Sequence, residues 1–185
     1  MKAIPAREGN SLEITLKAIV VYDDFDFAAR ATALLERVAI RAEEATKWDV
    51  RPWRLDVLQQ PSLAGAAIAE ITDADLVMLA LCAARSLPDE LMGWLEYWAR
   101  NRPTGDAAVM VLFPDENTAP TPLWNELKEF AAWHGLPFLG SRSLRDDGDS
   151  MDFVRRLRRR RQPVTPVFQP SADRPPALRH WGINE

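Results

Sequence analysis

The chain has 185 residues, of which 47% are hydrophobic and 27% charged, and a formal net charge of −4 at pH 7. This length and apolar content suffice for one domain with its own core, and they exclude a chain that is disordered throughout. Residues 1–17 lack an apolar stretch of the signal-peptide type, and no run reaches the roughly 18 apolar residues of a membrane span. The single cysteine excludes an internal disulfide. We therefore expect a cytoplasmic protein without membrane contact.

The first predicted strand is the short β-rich apolar run of residues 17–22, which ends at two aspartates. An amphipathic helix is predicted to follow from residue 27 to about residue 46, because apolar side chains recur every three or four positions. Asp24 or Asp26 is available as its N-cap.

The next predicted strand, residues 48–56, contains Pro52. A proline cannot donate to a strand ladder, so this strand is expected at the edge of a sheet. A short alanine-rich helix at residues 62–72 precedes residues 75–81, an apolar run typical of a strand buried on both faces.

The second half of the chain repeats the alternation of helix and strand. Ser86 and Asp89 have the spacing of a capping box, which predicts a helix from that point to about residue 101. The remaining predicted elements are a strand at 107–113, a helix opened by Thr121-Pro122 and ended near His134-Gly135, a strand at 136–139, and a helix that Ser150 caps and that runs into the arginine-rich residues 155–161.

This alternation predicts a three-layer α/β fold with a five-stranded parallel sheet of order 2-1-3-4-5, the flavodoxin-like arrangement. The predicted divisions are an N-terminal extension at 1–14, the α/β domain at 15–161, and a basic tail at 162–185. The tail contains five prolines, which predict an extended segment.

Charge is distributed unevenly along the chain. Residues 155–185 contain eight arginines and two acidic residues, a net charge of +6 that leaves −10 for residues 1–154. Such a chain can pair its two parts within one subunit or between two subunits. The arginine run could contact nucleic-acid phosphates, but it has no accompanying binding motif, and a solvated helix end is the simpler interpretation. We therefore expect a homodimer or a protein partner rather than nucleic acid.

Ligands of this fold gather at the carboxyl ends of the strands, where the predicted loops are acidic. Asp23, Asp24 and Asp115 supply carboxylate oxygens of the kind that Mg²⁺ prefers. The alternative role for Asp23 and Asp24 is helix capping, with favourable charge at a helix N-terminus.

The segment 19–24, Ile-Val-Val-Tyr-Asp-Asp, followed by an amphipathic helix, resembles the start of a response-regulator receiver domain. In that family paired acids after the first strand hold Mg²⁺. The family's phosphoacceptor aspartate, hydroxyl residue and lysine correspond here to Ala80, residues 113–114 and residues 139–140. The resemblance therefore implies a pseudo-receiver that binds a partner, without phosphoryl transfer.

Residues 73–79 and 87–95 resemble the corresponding strand and helix of flavodoxins and flavin reductases. That resemblance implies a flavin phosphate held by hydroxyl and backbone donors after the first strand. The loop at residues 22–26 instead carries three aspartates, which would repel a phosphate, and residues 82–86 offer no aromatic side chain to stack on a flavin. The sequence thus argues against FMN.

Cys82 follows a central strand, and Arg85 could lower the pKa of its thiol. A nucleophile also needs a base, and His134 is expected at the opposite edge of the sheet, so a buried structural cysteine is predicted instead.

Four tryptophans lie on two successive predicted helices: Trp94 and Trp98 are one turn apart on the first, and Trp124 and Trp133 lie on the second. Core packing or an aromatic binding surface would explain them.

Our leading hypothesis is a non-catalytic module that acts through protein interaction or self-association, with the tail as a docking arm. Tyr97 and Trp98 are adjacent and point to different sides, so at least one is expected at the surface. The first alternative is a ligand-binding protein or enzyme that uses a divalent cation at the acidic loops, and the second is flavin binding. The predicted interaction residues are Tyr97, Trp98, Arg158, Arg159, Phe168 and Trp181.

Overall fold

The computed structural model describes residues 14–41, 46–82, 86–102, 107–113, 121–140 and 152–158. Among these residues, no helix has the length and apolar character needed to cross a membrane. In chain order the elements are β1 (Ile14–Tyr22), α1 (Phe25–Arg41), β2 (Thr46–Arg54), α2 (Leu55–Leu58), α3 (Pro61–Ile71), β3 (Leu76–Ala80), α4 (Asp89–Asn101), β4 (Ala108–Leu112), α5 (Pro122–Trp133), β5 (Phe138–Gly140) and a final helix, α6, at 152–158.

The five strands form one parallel sheet in the order β2-β1-β3-β4-β5. All residues of β3 and β4 are buried, as expected for central strands covered by helices on both faces. β2 lies at the edge, where Pro52 is tolerated because one side of the strand has no neighbour. The predicted flavodoxin-like fold and its strand order are confirmed.

The sheet separates two apolar clusters. Alternate β1 residues point to opposite faces, so that Ala18 and Val20 join one cluster while Ile19 and Val21 join the other. The first cluster contains the buried side chains of α1 and α6, and the second contains those of α3, α4 and α5. The helices α4 and α5 therefore cover the face opposite α1.

Two predicted helix starts are confirmed by their caps. The Asp24 carboxylate accepts a hydrogen bond from the Phe27 amide at 3.1 Å, which identifies Asp24 rather than Asp26 as the N-cap of α1. The Thr121 hydroxyl accepts one from the Trp124 amide at 3.2 Å. After α5 the chain turns at Gly135, whose φ of 63° is the left-handed conformation that favours glycine.

Several predicted boundaries were wrong, including the starts of β1, which begins at Ile14, and of β5, which begins at Phe138. Ser86 does not cap α4, since that helix begins at Asp89 and the preceding Pro88 makes no side-chain cap hydrogen bond. Helix α1 is described to Arg41, and Thr46, its predicted end, already belongs to β2. The strand predicted to continue to residue 56 gives way to the one-turn α2, which buries Leu58 against the core.

The amino edge of the sheet is held by Asp75. Its carboxylate accepts a hydrogen bond from the Lys17 amide at 2.7 Å, and its own amide donates to the Lys17 carbonyl at 2.9 Å. The Asp75 carbonyl accepts from the Ala108 amide at 3.0 Å. One residue thus fixes the relative positions of β1, β3 and β4.

Candidate functional site

The first candidate site is the carboxyl edge of the sheet, where Asp23 and Asp24 follow β1. The Asp23 carboxylate accepts a hydrogen bond from the Cys82 amide at 2.8 Å and so joins the loop after β1 to the loop after β3. The Asp24 carboxylate is occupied in capping α1. Asp115, the third predicted ligand, lies outside the described residues, among which no group of three or more metal-ligating side chains comes together.

Two aromatic side chains and an arginine also meet at this edge, a contact that was not predicted from the sequence. The rings of Tyr22 and Phe25 lie 5.4 Å apart, and the Arg54 guanidinium lies 5.7 Å from the centre of the Phe25 ring. Arg54 also forms a bidentate ion pair with Asp56, which raises the pKa of the guanidinium. Because the pair neutralises Arg54, this guanidinium is a poor candidate for binding a phosphate.

Cys82 is exposed, and the prediction of a buried structural cysteine was therefore wrong. Strand β3 ends at Ala80 and Leu81 is the last buried residue, so the thiol lies beyond the sheet. His134 precedes β5 and thus lies toward the amino edge, away from Cys82 as predicted. Arg85, the predicted activator, lies outside the described residues.

The second candidate site is a groove between α4 and α5 with a volume of about 440 Å³. Its α4 side follows one stripe of side chains four residues apart, and its α5 side continues to the C-terminal end of that helix. Trp133 is 87% exposed at the rim. The residues that line this α4–α5 groove are Met92, Glu96, Arg100, Glu126, Glu129, Phe130, Trp133 and His134.

The groove is acidic, since three glutamates and one arginine line it. Glu96 pairs with Arg100 at 3.0 Å on the same helix, and Glu126 accepts a hydrogen bond from the Leu87 amide at 3.1 Å. Glu129 is exposed. The carboxylates give the groove a negative surface beside its aromatic and methionine side chains.

Arg102 connects the C-terminal ends of α4 and α5. Its guanidinium donates to the carbonyl of Ala99 at 2.7 Å and to that of His134 at 2.9 Å. The end of α4 is thereby tied to the end of α5, which fixes the position of the groove's two walls.

The pKa of His134 is lowered from its ordinary value of 6.5 by partial burial and, less strongly, by the positive charge of Arg102. The folded protein therefore binds this proton less tightly than the unfolded chain does. We expect the free energy of unfolding to fall as the pH drops below about 6.5 and to level off below the folded pKa. In chemical denaturation from pH 7.5 to 5, the His134→Gln variant should lose this component, and identical profiles for both proteins would contradict it.

The predicted interaction residues differ in how exposed they are. Tyr97 is 43% exposed, which confirms the prediction that at least one of Tyr97 and Trp98 reaches the surface. Trp98 is 0% exposed, so its assignment to a contact surface was wrong. Arg158 is also buried, at 6% exposure, because it lies four residues after Val154 on the inner face of α6. It is not the solvated side chain that was predicted. Arg159, Phe168 and Trp181 lie outside the described residues.

No protein-family model matches this chain, and neither does any curated protein. Among solved structures, the chain is similar to one described as a flavodoxin from the domain Archaea. The two are 12% identical, the match covers 77% of this chain and 99% of that chain, and the TM-score is 0.44. The resemblance to receiver domains is not confirmed. The fold assignment rests on the strand order and connectivity of the sheet itself.

Proposed function

We propose that this protein is a non-catalytic module that forms a homodimer through the α4–α5 groove. The observation that carries the proposal is Trp133, a large aromatic side chain with 87% of its surface exposed at the rim of a groove. Exposed tryptophans at the centre of a contact surface contribute more binding energy than most residue types.

The surroundings of Trp133 have the composition of a protein contact surface. Met92 and Phe130 line the groove beside it. Charged side chains border these groups. An aromatic and methionine centre with a polar rim is typical of interfaces between proteins.

The hydrogen bonds at the carboxyl edge support the non-catalytic part of the proposal. A phosphate in this fold would be bound by amides at the N-terminus of α1, and the Asp24 carboxylate already accepts a hydrogen bond from the Phe27 amide there. Asp23 is likewise bonded to the Cys82 amide. These contacts give both aspartates a structural role, and we propose that the protein uses neither a flavin nor a divalent cation.

The alternative, a cation-dependent ligand-binding protein or enzyme, makes a different prediction for thermal unfolding. If Mg²⁺ bound at Asp23 and Asp24, millimolar Mg²⁺ would raise the melting temperature by mass action. We expect no such shift. A rise that is present in the native protein and lost in the Asp23→Asn, Asp24→Asn double variant would contradict the non-catalytic proposal and support a metal site.

Self-association is tested by sedimentation equilibrium of the full chain. We expect a dimer that the Trp133→Ala variant weakens by about tenfold or more, the effect of losing a large aromatic contact. The matched control is Ile40→Ala, which removes a side chain that is 78% exposed on α1, on the other side of the sheet. A monomeric native protein, or an equal effect of both variants, would contradict the proposal.

A further inference from the structure

We infer that the α4–α5 groove of one copy receives the C-terminal segment of the second copy, residues 159–185. This inference rests on the proposed function, because it names the occupant of the surface through which the two copies associate. Two observations support it: the groove and the segment have complementary charges, and the chain that follows α6 is long enough to reach a second copy.

The groove and the segment have opposite charges. Arg100 pairs with Glu96, so Glu126 and Glu129 leave the groove with an excess of negative charge. The segment contains five arginines and two acidic residues. Guanidinium groups form paired hydrogen bonds with carboxylates, and a protein-lined groove strengthens them relative to water. A nucleic acid or an anionic membrane surface would be repelled by the same glutamates.

The segment also supplies apolar side chains that suit the groove. Phe168 and Trp181 lie among its prolines and arginines. A volume of about 440 Å³ is within the roughly 300–1,000 Å³ of pockets that hold small ligands. The groove therefore has room for one or two large side chains next to Trp133, while the arginines reach the glutamates of its walls.

The length of the segment permits the contact. Its 27 residues begin after α6, in the layer opposite α4 and α5. Extended chain spans about 3.3 Å per residue, or about 90 Å in total. A domain of this size has a radius of gyration of about 15 Å, so a fraction of the segment reaches the groove of a neighbouring copy.

Site-specific photo-cross-linking of the full chain tests the inference. Trp133 is replaced by p-benzoylphenylalanine, which keeps an aromatic side chain at the rim, and a ¹⁵N-labelled chain is mixed with an unlabelled one before irradiation. We expect most cross-linked peptides to join position 133 to residues 159–185. Among them, mixed-isotope pairs should appear in the proportion that random exchange between the two chains predicts for the mixing ratio. The same group at Ile40 should give no such peptides.

Glu129→Arg in the cross-linking chain tests the electrostatic contribution. We expect the yield of tail cross-links to fall at least about threefold, whereas Glu36→Arg on the exposed face of α1 should leave it unchanged. Raising the salt concentration should also lower the yield. Equal yields from the Glu129 and Glu36 variants would overturn the charge pairing.

The outcomes separate this inference from the proposed function. Cross-links that join position 133 only to residues 14–158 would overturn the inference, even where Trp133→Ala still weakens the dimer. Cross-links to the tail that never combine the two isotopes would place the segment in the groove of its own chain and overturn its assignment to the second copy.

Discussion

Replacing Trp98 by alanine is expected to lower the free energy of unfolding by about 3–5 kcal/mol, the usual effect of removing a fully buried tryptophan. The side chain is 0% exposed and belongs to the cluster beneath α3, α4 and α5. Among the described residues its indole N–H has no hydrogen-bond partner. The loss therefore comes from apolar contacts and from the cavity that alanine leaves.

The neighbouring residue provides the control for Trp98. Tyr97→Ala removes a ring that is 43% exposed on the same helix, and we expect the free energy of unfolding to change by about 0.5 kcal/mol or less. Trp98→Phe should fall between the two alanine variants, since it retains most of the buried apolar surface. Urea denaturation measures all three. Equal destabilisation by Tyr97→Ala and Trp98→Ala would contradict the observed orientation of α4.

Replacing Gly140 by alanine is expected to destabilise the protein by about 1–3 kcal/mol, because the site has no space for a methyl group. A Cβ atom at Gly140 would lie 2.8 Å from Cη2 and 3.0 Å from Cζ3 of Trp124. The Trp124 ring is held between Phe138, 4.6 Å away, and Phe113, 5.4 Å away, measured between ring centres. Movement of the indole would disturb both contacts.

Gly93 gives a control of opposite sign. Gly93 lies at a solvent-exposed position in the middle of α4. A Cβ atom at this position would meet nothing within 4 Å beyond its own helix backbone and adjacent residues. Gly93→Ala should therefore stabilise the protein by about 0.5–1 kcal/mol, because alanine restricts the unfolded chain and favours the helix. Thermal and urea unfolding of the two variants should move in opposite directions. A neutral Gly140→Ala variant would show that Trp124 can move aside.

The local pattern of the sequence was sufficient to predict the architecture. The apolar runs around residues 76–80 and 108–112 predicted central strands, because a strand that is covered on both faces has apolar side chains at successive positions. Pro52 placed β2 at the edge, and Asp24 and Thr121 marked helix starts through hydrogen bonds that reach only three residues along the chain.

The tertiary structure alone decided the role of each candidate site residue. Asp23 bonds to the Cys82 amide, a partner 59 residues away in the chain, and this contact depends on the pairing of β1 with β3. Trp133 and Glu96 share a groove because α4 and α5 pack side by side on one face of the sheet. The periodicity of a sequence indicates which face of a helix is apolar. It does not indicate which other helix lies beside that helix, so the α4–α5 groove could be identified only in the folded chain.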